Sequence, residues 1–295
     1  MALDHTRIQK PAKKLRKLLG KMSSAPTSEE VHSFRTNARR LETVLETLPL
    51  DHRKERRQLD DRISKLRKRA GKVRDFDVLT EYLSSVPHDP SENDCLVRLL
   101  EYLGAQREKH ARKFHRLQKQ HSSQLRRSLK RASNTIEEIF PPKGDGRLNA
   151  KPVSAQVSSA ALTLLSDLTE PPHLQRSNLH EYRLKVKELR NLLQMATNSD
   201  QQPFVDRLGQ VKDAIGEWHD WEVLAAIAKD VLDHGRGCGL IKNLRNTVET
   251  KFGTALRLAE TMRRDDLRIG KRHQNNTSKH QPATVVWSAT ASLSA

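Results

Sequence analysis

The chain has 295 residues, and its 54 Lys and Arg side chains outnumber 36 Asp and Glu side chains, which gives a formal charge of +18. An excess of this size attracts polyanions, so the candidate partners are nucleic acid, an anionic membrane or a phosphate polymer. Two cysteines exclude a disulfide framework, and no apolar run suits a membrane span or a signal peptide, so the composition predicts a soluble cytosolic protein.

Helix-forming residues dominate the sequence and few segments alternate as strands do, so the predicted fold class is all-α. Breaks rich in proline and glycine divide the chain into predicted helices. Thr27 is the expected N-cap of the second helix, with Glu30 at the spacing of a capping box. The eight predicted helices cover residues 5–21, 27–48, 51–85, 92–139, 154–169, 174–197, 202–234 and 240–263.

The clearest boundary is the segment PPKGDGRLNAKP at residues 141–152, which is predicted to be a linker. It separates a predicted four-helix bundle over residues 1–140 from a second one over 153–264. Beyond these helices the sequence turns polar and loses its periodicity, so residues 265–295 are predicted to be a disordered tail. The first 148 residues carry a net charge of +14, and the remainder carries +4.

Two sequence motifs occur twice, in the same order, which indicates a duplicated unit. HSFRTNARRLETVLETL at 32–48 matches HEYRLKVKELRNLLQMA at 180–196, at a shift of 148 positions. LDDRISKLRKRAGKVRDFDVL at 59–79 matches FVDRLGQVKDAIGEWHDWEVL at 204–224, at a shift of 145 positions. The matched pairs are His32/His180, Phe34/Tyr182, Arg35/Arg183, Arg39/Lys187, Leu41/Leu189, Arg62/Arg207, Gly71/Gly216, Asp75/Asp220 and Val78/Val223.

Each copy of the first motif predicts a helix with an apolar face and a separate cationic face. At about 100° per residue the cationic side chains lie more than about 90° from the apolar stripe, so they cannot enter the same core. The apolar stripes are Phe34, Ala38, Leu41, Leu45 and Leu48 in the first copy, and Tyr182, Val186, Leu189 and Leu193 in the second. The first cationic row is His32, Arg35 and Arg39, and the second row is His180, Arg183, Lys187 and Arg190.

A cationic row on a helix is most often an ordinary solvated face, with acids four residues away that form ion pairs. Here the acids lie mostly off the rows, although Glu42 borders the first one. Like charges at helical spacing repel one another by about 0.2–0.5 kcal/mol per pair, so their repetition favours an anionic ligand. The two rows are therefore the predicted binding site.

The second motif adds two matched pairs that are basic in both copies, Arg62/Arg207 and Arg67/Lys212, which are predicted as second-rank ligand contacts. Asp75 is better explained as the partner of an arginine, or as a turn cap, than as a catalytic acid, because acids two residues apart on a helix point in different directions. The sequence contains no HExxH, no CxxC, no nucleophile–His–acid set and no P-loop. It therefore predicts no metal, no cofactor and no enzymatic activity.

The doubled H-x-x-R-x-x-x-[RK] helix is followed each time by a Leu-rich helix that ends in G-x-x-[RH]-D-x-[DE]-V, and this pattern resembles the conserved-histidine α-helical domain (CHAD) family. The resemblance covers about residues 5–263. It implies an all-α fold of two four-helix bundles, related by a pseudo-two-fold axis around a basic central pore. It also implies non-catalytic binding of long-chain inorganic polyphosphate and association with intracellular polyphosphate granules.

The family's ligand-contacting role carries over by motif position to residues of both copies. These are His32, Arg35, Arg39, Arg40, His180, Arg183, Lys187 and Arg190. The sequence departs from the family pattern at Glu42, where an arginine would be expected as at Arg190, and at Ala70, which replaces a leucine. The first departure makes the implied pore less symmetric.

The residue chemistry favours polyphosphate over nucleic acid as the partner. Polyphosphate has no bases to stack, so its binding needs dense guanidinium and ammonium groups and few aromatic side chains, of which the chain has twelve. Nucleic-acid binding through the long basic helix around residues 107–131 is the alternative. An enzyme that acts on phosphate polymers is a third possibility.

Overall fold

A computed structural model describes residues 5–47, 53–139, 147–195, 201–232 and 237–267. Its regular structure in those ranges consists of α-helices and short 3₁₀ turns, such as the one at Pro90–Glu92, without a strand, so the all-α prediction is confirmed. The helices are α1 (His5–Lys21), α2 (Ser28–Thr47), α3 (Arg53–Ser84), α4 (Asn93–Ile139), α5 (Arg147–Thr169), α6 (Leu179–Leu193), α7 (Gln202–Val231) and α8 (Gly239–Asp265).

Side-chain contacts with the backbone explain where two of the helices begin. The Glu30 amide donates to Thr27 Oγ1 at 3.2 Å, and the Thr27 amide donates to Glu30 Oε2 at 2.9 Å, so the predicted capping box is confirmed. Helix α6 begins at Leu179, later than predicted. The reason is a turn before it, in which Asn178 Oδ1 accepts a hydrogen bond from the Gln175 amide at 2.9 Å.

Helix α5 begins at Arg147, inside the segment predicted to be a linker, so residues 147–152 are helical. The rest of that segment, residues 141–146, lies outside the described residues. The same holds for Leu48, the last position of the first apolar stripe, and for the predicted disordered tail beyond Leu267. For these residues the sequence-based statements stay predictions.

The chain divides into two compact units. The N unit comprises His5–Asn149 together with His219–Glu249. Among the described residues, the C unit comprises Ala150–Trp218 together with residues 250–267. The predicted bundle boundaries and the pseudo-two-fold relation between the bundles stay predictions.

In the N unit, four helices surround one core in the order α1, α2, α3, α4, and α4 packs back against α1. Helices α2 and α4 therefore lie on a diagonal of the bundle. Phe34 of α2 and Phe114 of α4 meet across that diagonal, with ring centroids 5.6 Å apart in an edge-to-face arrangement. The predicted apolar stripe of α2 is buried over its described length, at Phe34, Ala38, Leu41 and Leu45.

In the C unit, the predicted apolar stripe of α6 is also buried, at Tyr182, Val186, Leu189 and Leu193. Burial raises the pKa of the Tyr182 hydroxyl well above its ordinary value, so the phenol is neutral at physiological pH. Trp218 of α7 packs against Phe252 of α8, with ring centroids 5.4 Å apart. Both apolar stripes thus belong to packed cores, which leaves the remaining faces of α2 and α6 for the cationic rows.

The cysteines, Cys95 and Cys238, are both buried in the N unit as free thiols, with their sulfur atoms 4.0 Å apart. Burial raises the pKa of the Cys95 thiol, which keeps it protonated near neutral pH. Among the described helices, none has the length and apolar character that a membrane span requires.

Candidate polyanion-binding site

The first cationic row lies on the face of α2 that adjoins α3. His32 is exposed and Arg35 and Arg39 are half-buried, while the apolar stripe of the same helix is buried. The cationic and apolar faces are therefore separate, as predicted. Arg40 is exposed, but it lies about 140° around the helix from Arg35, at about 100° per residue, so it faces away from the row.

Arg35 contacts an acid of the neighbouring helix. Its Nη1 atom lies 3.4 Å from Oδ1 of Asp75 in α3, so the prediction that Asp75 pairs with an arginine is confirmed. The two side chains are 32% and 47% exposed, and ion pairs of this kind contribute only about 0–1 kcal/mol. The pair therefore orients the Arg35 guanidinium while an anionic ligand can still compete with Asp75 for it.

The first row ends in an ion pair that the sequence analysis did not foresee. Arg67 Nε of α3 lies 2.6 Å from Glu42 Oε2 and donates to Glu42 Oε1 at 2.8 Å. The two side chains are only 20% and 11% exposed. Arg67, a predicted second-rank contact, is thus neutralised by the residue at which the sequence departs from the family pattern.

Two further acids, Asp60 and Asp61, lie at the same end of the first row. Burial raises the pKa of Asp60 above its ordinary value, and the nearby charges of Glu42 and Asp61 raise it further, while Arg67 lowers it. Asp60 Oδ1 is buried and has no hydrogen-bond partner among the described residues. The cationic part of the first row is therefore the stretch from His32 to Arg39.

In the second row, Arg183 lies directly on the backbone of α7. Its Nε atom donates to the carbonyl oxygen of Lys212 at 3.2 Å. A Cβ atom added to Gly216 would lie 2.6 Å from Arg183 Nη2, closer than such atoms approach, so the guanidinium occupies the space that this glycine leaves open. His180 and Lys187, the other cations of the row, are half-buried on the same helix.

Arg190 repeats this arrangement seven residues further along α6. Its Nε atom donates to the carbonyl oxygen of Val205 at 3.3 Å, and a Cβ atom added to Gly209 would lie 3.1 Å from that nitrogen. In both cases the glycine follows the accepting carbonyl by four residues. A side chain at that position leans back over the carbonyl, because side chains on a helix tilt toward its N-terminus. Glycine therefore opens the carbonyl to the arginine.

The two arginines of the second row consequently carry positive charge that no described acid cancels. Among the described residues, Arg183 and Arg190 contact backbone carbonyls and no carboxylate. The first copy lacks such an arginine packed against a glycine, because a Cβ atom added to Gly71, the match of Gly216, has nothing within 4 Å. The two copies thus hold their arginines differently, Arg35 beside a carboxylate and Arg183 on the backbone.

The second-rank cations each have a partner within the protein. Arg62 of α3 turns toward α4, where its Nη1 and Nη2 atoms donate to the side-chain oxygen of Gln124 at 3.2 and 3.0 Å when the amide oxygen faces them. The partners are Gln124 for Arg62, Glu42 for Arg67, Asp266 for Arg207 and Asp213 for Lys212. A ligand contact at these four positions stays a prediction.

Chemically, the rows offer positive charge and hydrogen-bond donors. Each guanidinium donates in a planar fork that matches two oxygens of one phosphoryl group, and Lys187 adds a point charge. In the described ranges, His, Cys, Asp and Glu form no group of three or more that could hold a metal ion. The arrangement fits an anion whose oxygens are repeated along its length.

Comparison with known proteins places the chain in a family. The family model described as CHAD domain matches residues 6–229. The fold is similar to the crystal structure of the CHAD domain from the plant Ricinus communis, with a TM-score of 0.59 and 16% sequence identity over 89% of this chain and 93% of that chain. No curated protein matches the sequence. Because the family model covers most of its length, the chain belongs to the CHAD domain family.

Proposed function

We propose that the protein binds long-chain inorganic polyphosphate through its two cationic rows and catalyses no reaction on it. The observation that carries this proposal is the pair of guanidiniums of Arg183 and Arg190, each held on a backbone carbonyl instead of a carboxylate. A carbonyl fixes the position of a guanidinium but leaves its full charge available. Membership of the CHAD domain family supports the same ligand.

The spacing of the second row suits a linear polymer. Arg183 and Arg190 are seven residues apart, which corresponds to about 10 Å along a helix at about 1.5 Å per residue, and Lys187 lies between them. A chain with anionic oxygens on every phosphorus can contact all three groups at once. Since a single exposed ion pair contributes only about 0–1 kcal/mol, affinity has to come from many such contacts made together.

Nucleic acid fits the rows less well. Proteins that bind single strands usually stack bases on exposed aromatic rings, each stack contributing about 1–3 kcal/mol. The aromatic side chain next to each row, Phe34 on α2 and Tyr182 on α6, is buried in the core. The rows therefore offer phosphate contacts without a stacking platform of their own.

Titration with long-chain polyphosphate at several salt concentrations tests the proposal. We expect saturable binding whose affinity falls steeply as the salt concentration rises, by analogy with counterion release from nucleic acids. Excess RNA or duplex DNA is expected to leave the complex intact. Displacement by nucleic acid at equal charge would favour the alternative ligand, and release of orthophosphate in the presence of divalent cations would contradict a purely binding role.

We further propose that the protein associates with cytoplasmic polyphosphate granules, which the family resemblance implies. A fluorescent fusion is expected to coincide with granules in cells that accumulate polyphosphate. The same fusion should become diffuse when polyphosphate synthesis is blocked, and an unchanged pattern would argue against the granule.

Replacing Glu42 by Gln is expected to raise the affinity for polyphosphate by up to about tenfold, or about 1.4 kcal/mol. The change removes a negative charge from the end of the first row and releases Arg67 for the ligand. The free energy of unfolding should fall by about 1–3 kcal/mol, because Arg67 loses a charged partner. Part of that loss is offset at Asp60, whose pKa is raised first by burial and next by Glu42.

The contribution of Asp60 to stability depends on pH, because proton binding at this carboxyl group is linked to folding. A carboxyl group with a raised pKa binds its proton more tightly in the folded state, so its contribution to stability decreases as the pH rises. Glu42→Gln should therefore reduce this pH dependence. Glu101→Gln is the matched control, because Glu101 is exposed on α4 and the charge change is the same. Equal affinities for the two variants would show that the Glu42–Arg67 pair has no influence on binding.

A further inference from the structure

The α1–α4 edge of the N unit carries a cationic groove apart from the first row. Arg16 of α1 and Ser123, Arg126, Arg127 and Lys130 of α4 line this groove, which has a volume of about 620 Å³. All five side chains are exposed. Because the helices follow one another in the order α1, α2, α3, α4, this edge lies opposite the α2–α3 edge that bears the first row. The groove is thus a separate surface.

The charge of the groove is not balanced locally. Within the part of the chain that the structure describes, none of its four cations forms an ion pair. The neighbouring Arg131 shows the contrast, because its Nη1 atom lies 3.2 Å from Glu55 Oε1. Arg126, Arg127 and Lys130 are adjacent or one turn apart on α4, so they repel one another unless an anion lies between them.

The groove continues over α4 into a second depression of about 490 Å³, which is lined by Gln124, Arg127, Lys130 and Arg131. Arg127 and Lys130 belong to both depressions. Gln124 is the residue that Arg62 of α3 contacts. Cationic side chains therefore extend from α1 across α4 toward α3.

The groove is built on two helices that are tied together. Gln118 Nε2 and Ser122 Oγ of α4 donate to the carbonyl oxygen of Leu19 in α1, at 3.4 and 3.3 Å. The Arg126 guanidinium lies over α1, with Cζ 3.5 Å from the position that a Cβ atom on Gly20 would take. The width of the groove is therefore set by packed helices and not by a flexible loop.

We propose that this groove is a second contact for the phosphate polymer that the first row binds, an inference that rests on the proposed function. Its lining offers guanidinium, ammonium and hydroxyl donors and no aromatic ring, which suits phosphoryl oxygens better than bases. The two edges of the bundle are roughly 20 Å apart, or about two helix diameters. A long chain spans that distance and gains affinity from the linked contacts, whereas tripolyphosphate is too short.

The variant R16A/R127A/K130A tests the groove, since it removes three charges and keeps Arg126, which packs on α1. Its affinity for long-chain polyphosphate is expected to fall by about tenfold or more, because the second of two linked contacts is lost. Its affinity for tripolyphosphate should fall much less, because a chain too short to span both edges gains nothing from linked contacts. The control K229A/K242A/R245A changes three exposed charges of the same unit, and circular dichroism checks that both variants are folded.

Equal long-chain affinities for the groove variant and its control would overturn this inference and leave the proposed function standing. Failure of the wild-type protein to bind long-chain polyphosphate would overturn both. An equal loss of affinity for tripolyphosphate and for the long chain would exclude the linkage. If the groove variant bound polyphosphate as the control does but lost affinity for RNA, the groove would be a nucleic-acid surface instead.

Discussion

The variant R35A/R39A/R183A/K187A is expected to lose measurable binding to long-chain polyphosphate and to keep its helical fold. Each contact between one of these partly exposed cations and the ligand contributes up to about 1 kcal/mol. The loss of four such contacts corresponds to up to about three decades of affinity, at about 1.4 kcal/mol per decade. The apolar stripes under the rows are untouched, and the partly exposed Arg35–Asp75 pair contributes little to folding. Titration measures the affinity, and thermal melting followed by circular dichroism measures the fold.

A charge-matched control separates the rows from the overall charge of the protein. K10A/K229A/K242A/R245A also removes four cations, all of them exposed and outside the rows. This variant should keep most of the wild-type affinity, with a somewhat weaker response at low salt. If the control loses as much affinity as the row variant, binding reflects net charge alone. If the row variant binds as tightly as the wild-type protein, the ligand lies elsewhere.

The two pairs of substitutions in this variant are not expected to lower the affinity equally. The first half of the chain carries most of the net charge, at +14 against +4, which favours the first row when the sequence alone is considered. The contacts favour the second row instead, because Asp75 partly neutralises Arg35, whereas Arg183 contacts an uncharged carbonyl. We therefore expect R183A/K187A to lower the affinity more than R35A/R39A does. Net charge counts side chains, whereas a ligand meets only the charge that neighbouring groups leave uncancelled.

Local features of the fold could be predicted from the sequence because they depend on residues close together in the chain. The burial of Phe34 and Leu41 and the exposure of His32 follow from helical periodicity alone. The capping box at Thr27 follows from a spacing of three residues. The repeated motif then predicts a cationic row on each of two helices, and this prediction does not depend on how those helices pack.

Contacts between helices could not be predicted, because they depend on the register in which two helices pack. The pairing of Glu42 with Arg67 needs α2 and α3 at one particular offset, and periodicity within each helix does not fix that offset. One signal for the second row was present in the sequence. Arg183 and Arg190 are seven residues apart, and so are Gly209 and Gly216 on the following helix. Only the packed structure shows that the two spacings match.

Replacing Gly216 by Ala is expected to weaken polyphosphate binding without weakening the fold. The new Cβ atom would lie 2.6 Å from Arg183 Nη2 and 3.0 Å from its Nε atom, so the guanidinium has to leave the Lys212 carbonyl. This displacement costs the fold little, because the guanidinium ends a flexible side chain and Ala is favoured over Gly inside a helix by about 0.5–1 kcal/mol. The ligand then contacts an Arg183 side chain that is no longer fixed in place. The affinity of the variant for polyphosphate should therefore fall by up to about tenfold.

Gly71→Ala is the matched control, because Gly71 occupies the same position in the first copy and its added Cβ atom meets nothing within 4 Å. Denaturant unfolding should show a gain of about 0.5–1 kcal/mol for this variant, and its affinity for polyphosphate should be unchanged. A double-mutant cycle tests whether Gly216 acts through Arg183. If Gly216 acts only by positioning Arg183, then Gly216→Ala added to Arg183→Ala causes no further loss of affinity. A further loss of similar size would mean that the glycine serves the packing of α6 on α7 and not the arginine.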